Sequence, residues 1–217
     1  MKYIFTIIFL MITSSQSSFG QHPRTEHWHM RNNQFIRQLS TTPKGKTIFL
    51  GNSITEGFQL NDYFPKLQPL NRGISGDHID GLLERLETSV IKLKPTRLLV
   101  LIGINDIGAG DSDSLILKNY KMLMDTLADK LSYTTIYIQS ILPTSTRWEN
   151  CPKEKIIRLN KKIKALAKAH GFIWINLYDS FVDKQGYLQK SLTVDGLHLN
   201  QQGYLVWCEI LKGIRIE

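Results

Sequence analysis

Four short, nearly continuous apolar runs, residues 47–50, 97–102, 134–142 and 172–177, alternate with longer stretches of helical periodicity. Strands with apolar side chains on both faces belong inside a sheet that is covered on both sides. Residues 67–70 form a fifth, weaker candidate. Between and around these lie helical patterns at 26–39, 77–93 and 115–131, a basic helix from about Pro152 to Gly171, and a last helix at 201–212. Strand–helix alternation of this kind predicts an α/β chain with a five-stranded parallel sheet in three layers, joined by right-handed crossovers. In such sheets ligands gather at the carboxyl ends of the strands.

Those ends carry the chemistry. The first strand stops at Gly51 and delivers Asn52 and Ser53, while Asp195-Gly196-Leu197-His198 places a carboxylate and an imidazole three residues apart. A serine hydroxyl is a poor nucleophile until a base accepts its proton, and that base works best when an acid orients it. Among the six histidines, His198 has a carboxylate close by on a compact turn. Gly73, after the second strand, and Asn105, after the third, could join the amide of Ser53 as donors to a developing oxyanion. Taken singly, Gly73 and Asn105 read as plain turn residues. Three such loops on one edge, beside a serine and a histidine, favour acyl transfer. His78 reads either as a surface residue at a helix start or as a substrate contact. Phe58, Trp148, Phe181 and Tyr187 are equally open between pocket border and core.

At 217 residues the chain suits one domain. Lys2, the apolar run 3–12 and the small residues ending at Gly20 suit an export signal, with cleavage after Gly20 and a single domain over 21–217. The run falls short of the about 20 residues a membrane span needs, so a secreted or periplasmic product without stable membrane insertion is expected. Removing Lys2 lowers the formal charge from +8 to +7. Much of the surplus sits on the basic helix, whose Ile156, Leu159, Ile163 and Leu166 make it an amphipathic element with a solvated face. No finger-like or aromatic-interleaved motif points to nucleic acid. Cys151 and Cys208 lack metal-ligand spacing, so neither metal nor cofactor is expected, and a disulfide between them stays open.

With these residues in view, the chain resembles the SGNH hydrolases, the GDSL-type esterase and lipase superfamily. The blocks Gly51-Asn52-Ser53, Asn71-Arg72-Gly73, Gly103-Ile104-Asn105-Asp106 and Asp195-Gly196-Leu197-His198 occur in the family's order. The resemblance implies a flavodoxin-like sheet and a Ser53–His198–Asp195 triad. It also implies an oxyanion hole of Ser53, Gly73 and Asn105. Asn52 departs from the family's usual Asp and removes a charge beside Ser53. The first two blocks look most similar to the platelet-activating-factor-acetylhydrolase-like branch, whose secreted bacterial members often remove acetyl groups from carbohydrates. A small-molecule or glycan ester is the substrate this implies.

Other readings fit less well. An α/β-hydrolase elbow needs a second glycine where Thr55 stands. Gly103 to Gly110 lacks the phosphate-loop Lys-Ser/Thr and the dinucleotide spacing. A lysophospholipase or thioesterase of the same superfamily, or a silent secreted carbohydrate-binding protein, remain as alternatives.

Overall fold

The computed structural model describes residues 22–216, so the expected export signal lies outside the described residues. In chain order the elements are α1 (Glu26–Gln38), β1 (Thr47–Gly51), α2 (Ser53–Glu56), α3 (Leu60–Tyr63), β2 (Leu70–Gly73), α4 (Ile79–Ser89), β3 (Arg97–Leu101), α5 (Ile104–Gly108), α6 (Asp113–Lys130), β4 (Thr135–Gln139), α7 (Lys153–Ala169), β5 (Ile173–Ile175), α8 (Tyr178–Phe181) and α9 (Gln201–Gly213). The five strands are parallel in the order β2-β1-β3-β4-β5. This is the expected α/β, three-layer, flavodoxin-like arrangement.

β1 and β3 are buried almost throughout, as their apolar runs require. Helices α4, α6 and α7 pack side by side. α9 closes on the α2–α3 turn, where Phe58 stacks on Tyr204 and leans on Trp207. Strand order reverses at β1, which has β2 on one side and β3 on the other. That reversal opens a crevice at the carboxyl ends of β1 and β3, where Ser53 and Asn105 stand.

Several boundaries differ from expectation. The second strand is Leu70–Gly73 rather than 67–70. Gln68 has φ 46°, which breaks an extended run, and the polar Asn71 and Arg72 pair with Phe49 and Leu50 instead. An edge strand needs no apolar pattern, so its sequence signal is weak. β4 ends at Gln139, because the N–H and C=O of Ile141 pair with the side chain of Asn160. The 77–93 helix is α4 followed by a separate 3₁₀ turn, Ile91–Leu93, with Lys94 in a left-handed conformation. Cys151 and Cys208 are both buried and are not joined in a disulfide, which answers that open question against it. Phe58 and Phe181 belong to the core, and Tyr187 lies under the Lys153 ammonium.

Candidate active site

Ser53 is the first residue of α2, directly beyond β1. Its amide therefore has no intrahelical partner. Asn52 caps the helix through Oδ1, which accepts from the Ile54 amide at 3.1 Å, while its buried Nδ2 has no hydrogen-bond partner. Asn71 pins the same turn from β2, donating through Nδ2 to the carbonyls of Thr55, Glu56 and Phe58. The Tyr204 hydroxyl donates to Ile54 O at 2.9 Å, tying the turn to α9.

His198 arrives from the other end of the chain on a loop closed by the Thr193–Leu199 bridge. Its Nε2 lies 3.1 Å from Ser53 Oγ, and its Nδ1 lies 2.7 Å from Asp195 Oδ2. Asp195 Oδ1 accepts the amides of Leu197 and His198 at 2.9 and 2.8 Å. Burial would raise the Asp195 pKa, but the hydrogen bonds from the His198 ring and these amides outweigh it and hold the carboxyl below the usual range. Trp148 Nε1 donates to Asp195 O at 3.1 Å and steadies the loop.

The glycine loop corrects one expectation. The Gly73 amide already donates to Asn71 Oδ1 at 2.9 Å, and a Cβ at Gly73 would sit 2.2 Å from Glu56 N. Gly73 is a close-packing residue between β2 and α2, and its amide is not free for a ligand. Gly76 instead adopts φ +76°, has open space around it and lines a cleft of about 320 Å³ together with Asn105, His78, Ile104, Trp148 and Leu197. A left-handed φ at this place favours glycine, and that is the signal in the quoted loop that sequence reading passed over.

Asn105 is held in place by a donor bond from Nδ2 to Asp77 O at 2.9 Å, which leaves its second N–H available. Asp77 is in turn fixed from below. Its carboxylate accepts Arg85 Nε at 2.8 Å and Trp28 Nε1 at 2.9 Å. The fully buried Arg85 also donates to Gly51 O and Arg72 O, so one guanidinium ties the ends of β1 and β2 to the Asn105 support. Burial pushes the Asp77 carboxyl up, against the pull of Arg85.

His78, left open between surface and substrate, is half-buried in the cleft wall. Burial, helped by neighbouring His22, pushes its pKa down to about 4, so it faces the cleft as a neutral ring at neutral pH. Trp148 lines the cleft as well. Glu56 was not foreseen: it accepts the Ser75 hydroxyl and amide, each at 2.6 Å, and pairs with His27 and Arg31. These contacts brace the loop that leads to Gly76.

Comparison with known proteins agrees with the fold. Residues 49–206 match the family model for GDSL-like lipases and acylhydrolases. The chain is 23% identical over 193 residues to the bovine (Bos taurus) platelet-activating factor acetylhydrolase IB subunit alpha1, covering 86% of this chain and 82% of the relative. A candidate platelet activating factor from Streptococcus pneumonia superposes with a TM-score of 0.79 at 28% identity, covering 87% and 92% of the two chains. An acetyl xylan esterase shares the fold with a TM-score of 0.68 at 19% identity, over 79% of this chain and 100% of the other.

Proposed function

The chain belongs to the GDSL-like lipase/acylhydrolase family, within the SGNH hydrolases, and is a carboxylic ester hydrolase; from that premise we propose that it removes short acyl groups, acetyl above all, from carbohydrate esters outside the cytoplasm. The observation that carries the catalytic assignment is the chain of contacts Ser53 Oγ–His198 Nε2 and His198 Nδ1–Asp195 Oδ2, at 3.1 and 2.7 Å.

In this reading His198 carries its proton on Nδ1, donated to Asp195, and accepts the Ser53 proton at Nε2 as Oγ attacks the ester carbonyl. The imidazolium then protonates the leaving alcohol, and water repeats the sequence on the acyl-serine. The oxyanion is met by the amide of Ser53, the second N–H of Asn105 Nδ2 and the amide of Gly76, which takes the place first assigned to Gly73. Donors aimed at developing charge contribute about 2.7–4 kcal/mol each.

Substrate size follows from the cleft, which is at the small end for ligand sites and suits acetyl better than a long acyl chain. Trp148 and Asn150 in its wall offer an aromatic face and an amide, a pairing that suits a sugar ring. The bovine relative's name is that of an acetylhydrolase, and the acetyl xylan esterase shares the fold. Export rests on the basic, apolar and small-residue layout of residues 1–20. Among the described residues no helix is long and apolar enough to cross a membrane.

The test compares acetate release from acetylated xylan and acetylated monosaccharides with fatty-acid release from a lysophospholipid, by wild type and Ser53→Ala. Activity on the sugars that falls by several orders of magnitude in the variant supports the reading. Preference for the lysophospholipid overturns the carbohydrate assignment, and an unchanged rate in Ser53→Ala removes Ser53 from the mechanism.

A further inference from the structure

Next to Asn105 in sequence, Asp106 converges with Asp111 and with His22, whose ring stacks on His78. His22, Asp106 and Asp111 offer one imidazole nitrogen and two carboxylate oxygens that all lie within 4.8 Å of one another. We propose that these three residues bind a divalent transition ion of the zinc class, and that the ion clips the N-terminal segment to the element carrying Asn105.

The carboxylate oxygens point to a missing partner. Asp106 is completely buried; its Oδ1 accepts the Ile79 amide at 3.1 Å, and its Oδ2 has no hydrogen-bond partner. Asp111 Oδ2 is likewise buried without one, facing His22 Nε2 at 3.4 Å. A buried carboxylate oxygen left unpaired is costly, and a cation shared by Asp106 and Asp111 removes that cost for both. Lys155 does not supply it, since its ammonium donates to the Asp111 main-chain carbonyl.

The histidine is presented as a ligand. His22 Nδ1 lies 3.3 Å from Asp80 Oδ2, which also accepts the His22 amide at 3.0 Å. A metal-binding imidazole commonly donates its other N–H to a carboxylate in this way, which fixes the tautomer and leaves Nε2 free to coordinate. The ring is held flat against His78, with centroids 3.7 Å apart. The 3.4 Å between Nε2 and Asp111 Oδ2 also equals the edge of a tetrahedron with bonds of about 2.1 Å, the length zinc makes to nitrogen and carboxylate oxygen. Three protein ligands leave a fourth position for water.

An alternative grouping of His22, His78 and Asp80 is disfavoured. Both Asp80 oxygens are already engaged, Oδ1 by Arg24 and the Gly81 amide, Oδ2 by His22. An imidazole ligand also selects against calcium and magnesium, which take oxygen donors. The ion would cross-link residue 22 to Asp106 in the middle of α5 and to Asp111 just beyond its end. The site needs no ester and rests on none of the catalytic assignments.

The experiment is metal titration of the purified, chelator-stripped protein, with Co²⁺ absorption to report geometry and Zn²⁺ calorimetry to report affinity. One equivalent of Zn²⁺, a Co²⁺ spectrum of tetrahedral type and a higher Tm with Zn²⁺ are expected. His22→Gln and Asp111→Asn should each weaken Zn²⁺ at least tenfold; both side chains touch solvent, so these variants keep the fold where Asp106→Asn could lose it. His170→Gln, which alters a separate His–Asp pair with Asp125, and Ser53→Ala should bind as wild type does. Absence of stoichiometric binding, or binding that survives His22→Gln and falls in His170→Gln, overturns the proposal.

Discussion

Replacing Asp195 by Asn isolates the orienting role of the carboxylate, because the two oxygens of this side chain do separate jobs. Oδ1 accepts the Leu197 and His198 amides, and Oδ2 alone faces His198 Nδ1 at 2.7 Å. An asparagine keeps its carbonyl oxygen toward the two amides, since the opposite flip would set an NH₂ donor against two N–H donors. The turn is thereby preserved, as is the Trp148 bond to the residue 195 carbonyl. The atom facing Nδ1 becomes a donor, so Nδ1 must accept and the ring proton moves to Nε2. His198 can then donate to Ser53 Oγ but cannot receive its proton. A wrong tautomer in a serine–histidine–acid triad lowers kcat by about 10⁴, equivalent to about 5 kcal/mol of barrier. The stability change should be small, since Asp195 and His198 side chains are 32% and 38% exposed and exposed ion pairs contribute about 0–1 kcal/mol. The assay is p-nitrophenyl acetate hydrolysis, with kcat and KM resolved and a thermal melt as control. A variant that keeps its Tm and also keeps kcat within tenfold of wild type would refute the orienting role.

Asn105→Ala should lower kcat by about 10²–10³ with little change in KM, because the lost N–H matters only once the oxyanion forms; a change confined to KM would place Asn105 in ground-state binding instead. Acid stability should depend on Glu56. Burial alone would raise its pKa, but hydrogen bonds from Ser75 and His27 and the charge of Arg31 outweigh it and hold the carboxyl below its ordinary value. Its contribution is therefore complete above the unfolded value of about 4.3 and is lost as pH falls through the lower folded one. Glu56→Gln should lower Tm at pH 7 and flatten the fall of Tm between about pH 5 and 3; equal acid slopes in both proteins would exclude this linkage.

Much of the architecture was legible because β1, β3 and β4 are central strands. Both of their faces are buried, so sequence and burial coincide over Ile48 to Leu50 and Leu98 to Leu101. β2 was misplaced because an edge strand ending in Asn71, Arg72 and Gly73 makes no such demand on its side chains. In the active site, Ser53, Asp195 and His198 could be picked out from local spacing, since a strand-ending glycine and a four-residue Asp–His turn are local features.

What local pattern could not decide was which groups are already satisfied. Gly73 and Gly76 look alike in sequence; only the folded chain gives the Gly73 amide to Asn71 Oδ1 and sets Gly76 in the cleft wall. The Arg85–Asp77–Asn105 support, the Glu56 brace and the meeting of His22 with Asp106 and Asp111 join residues distant in the chain, and each exists only once tertiary packing has removed water from between them. The order of elements and the reactive side chains are thus written in periodicity and turn chemistry, which act over a few residues. Donor and acceptor pairing is settled by burial, because an unpaired polar group is costly only where water cannot reach it.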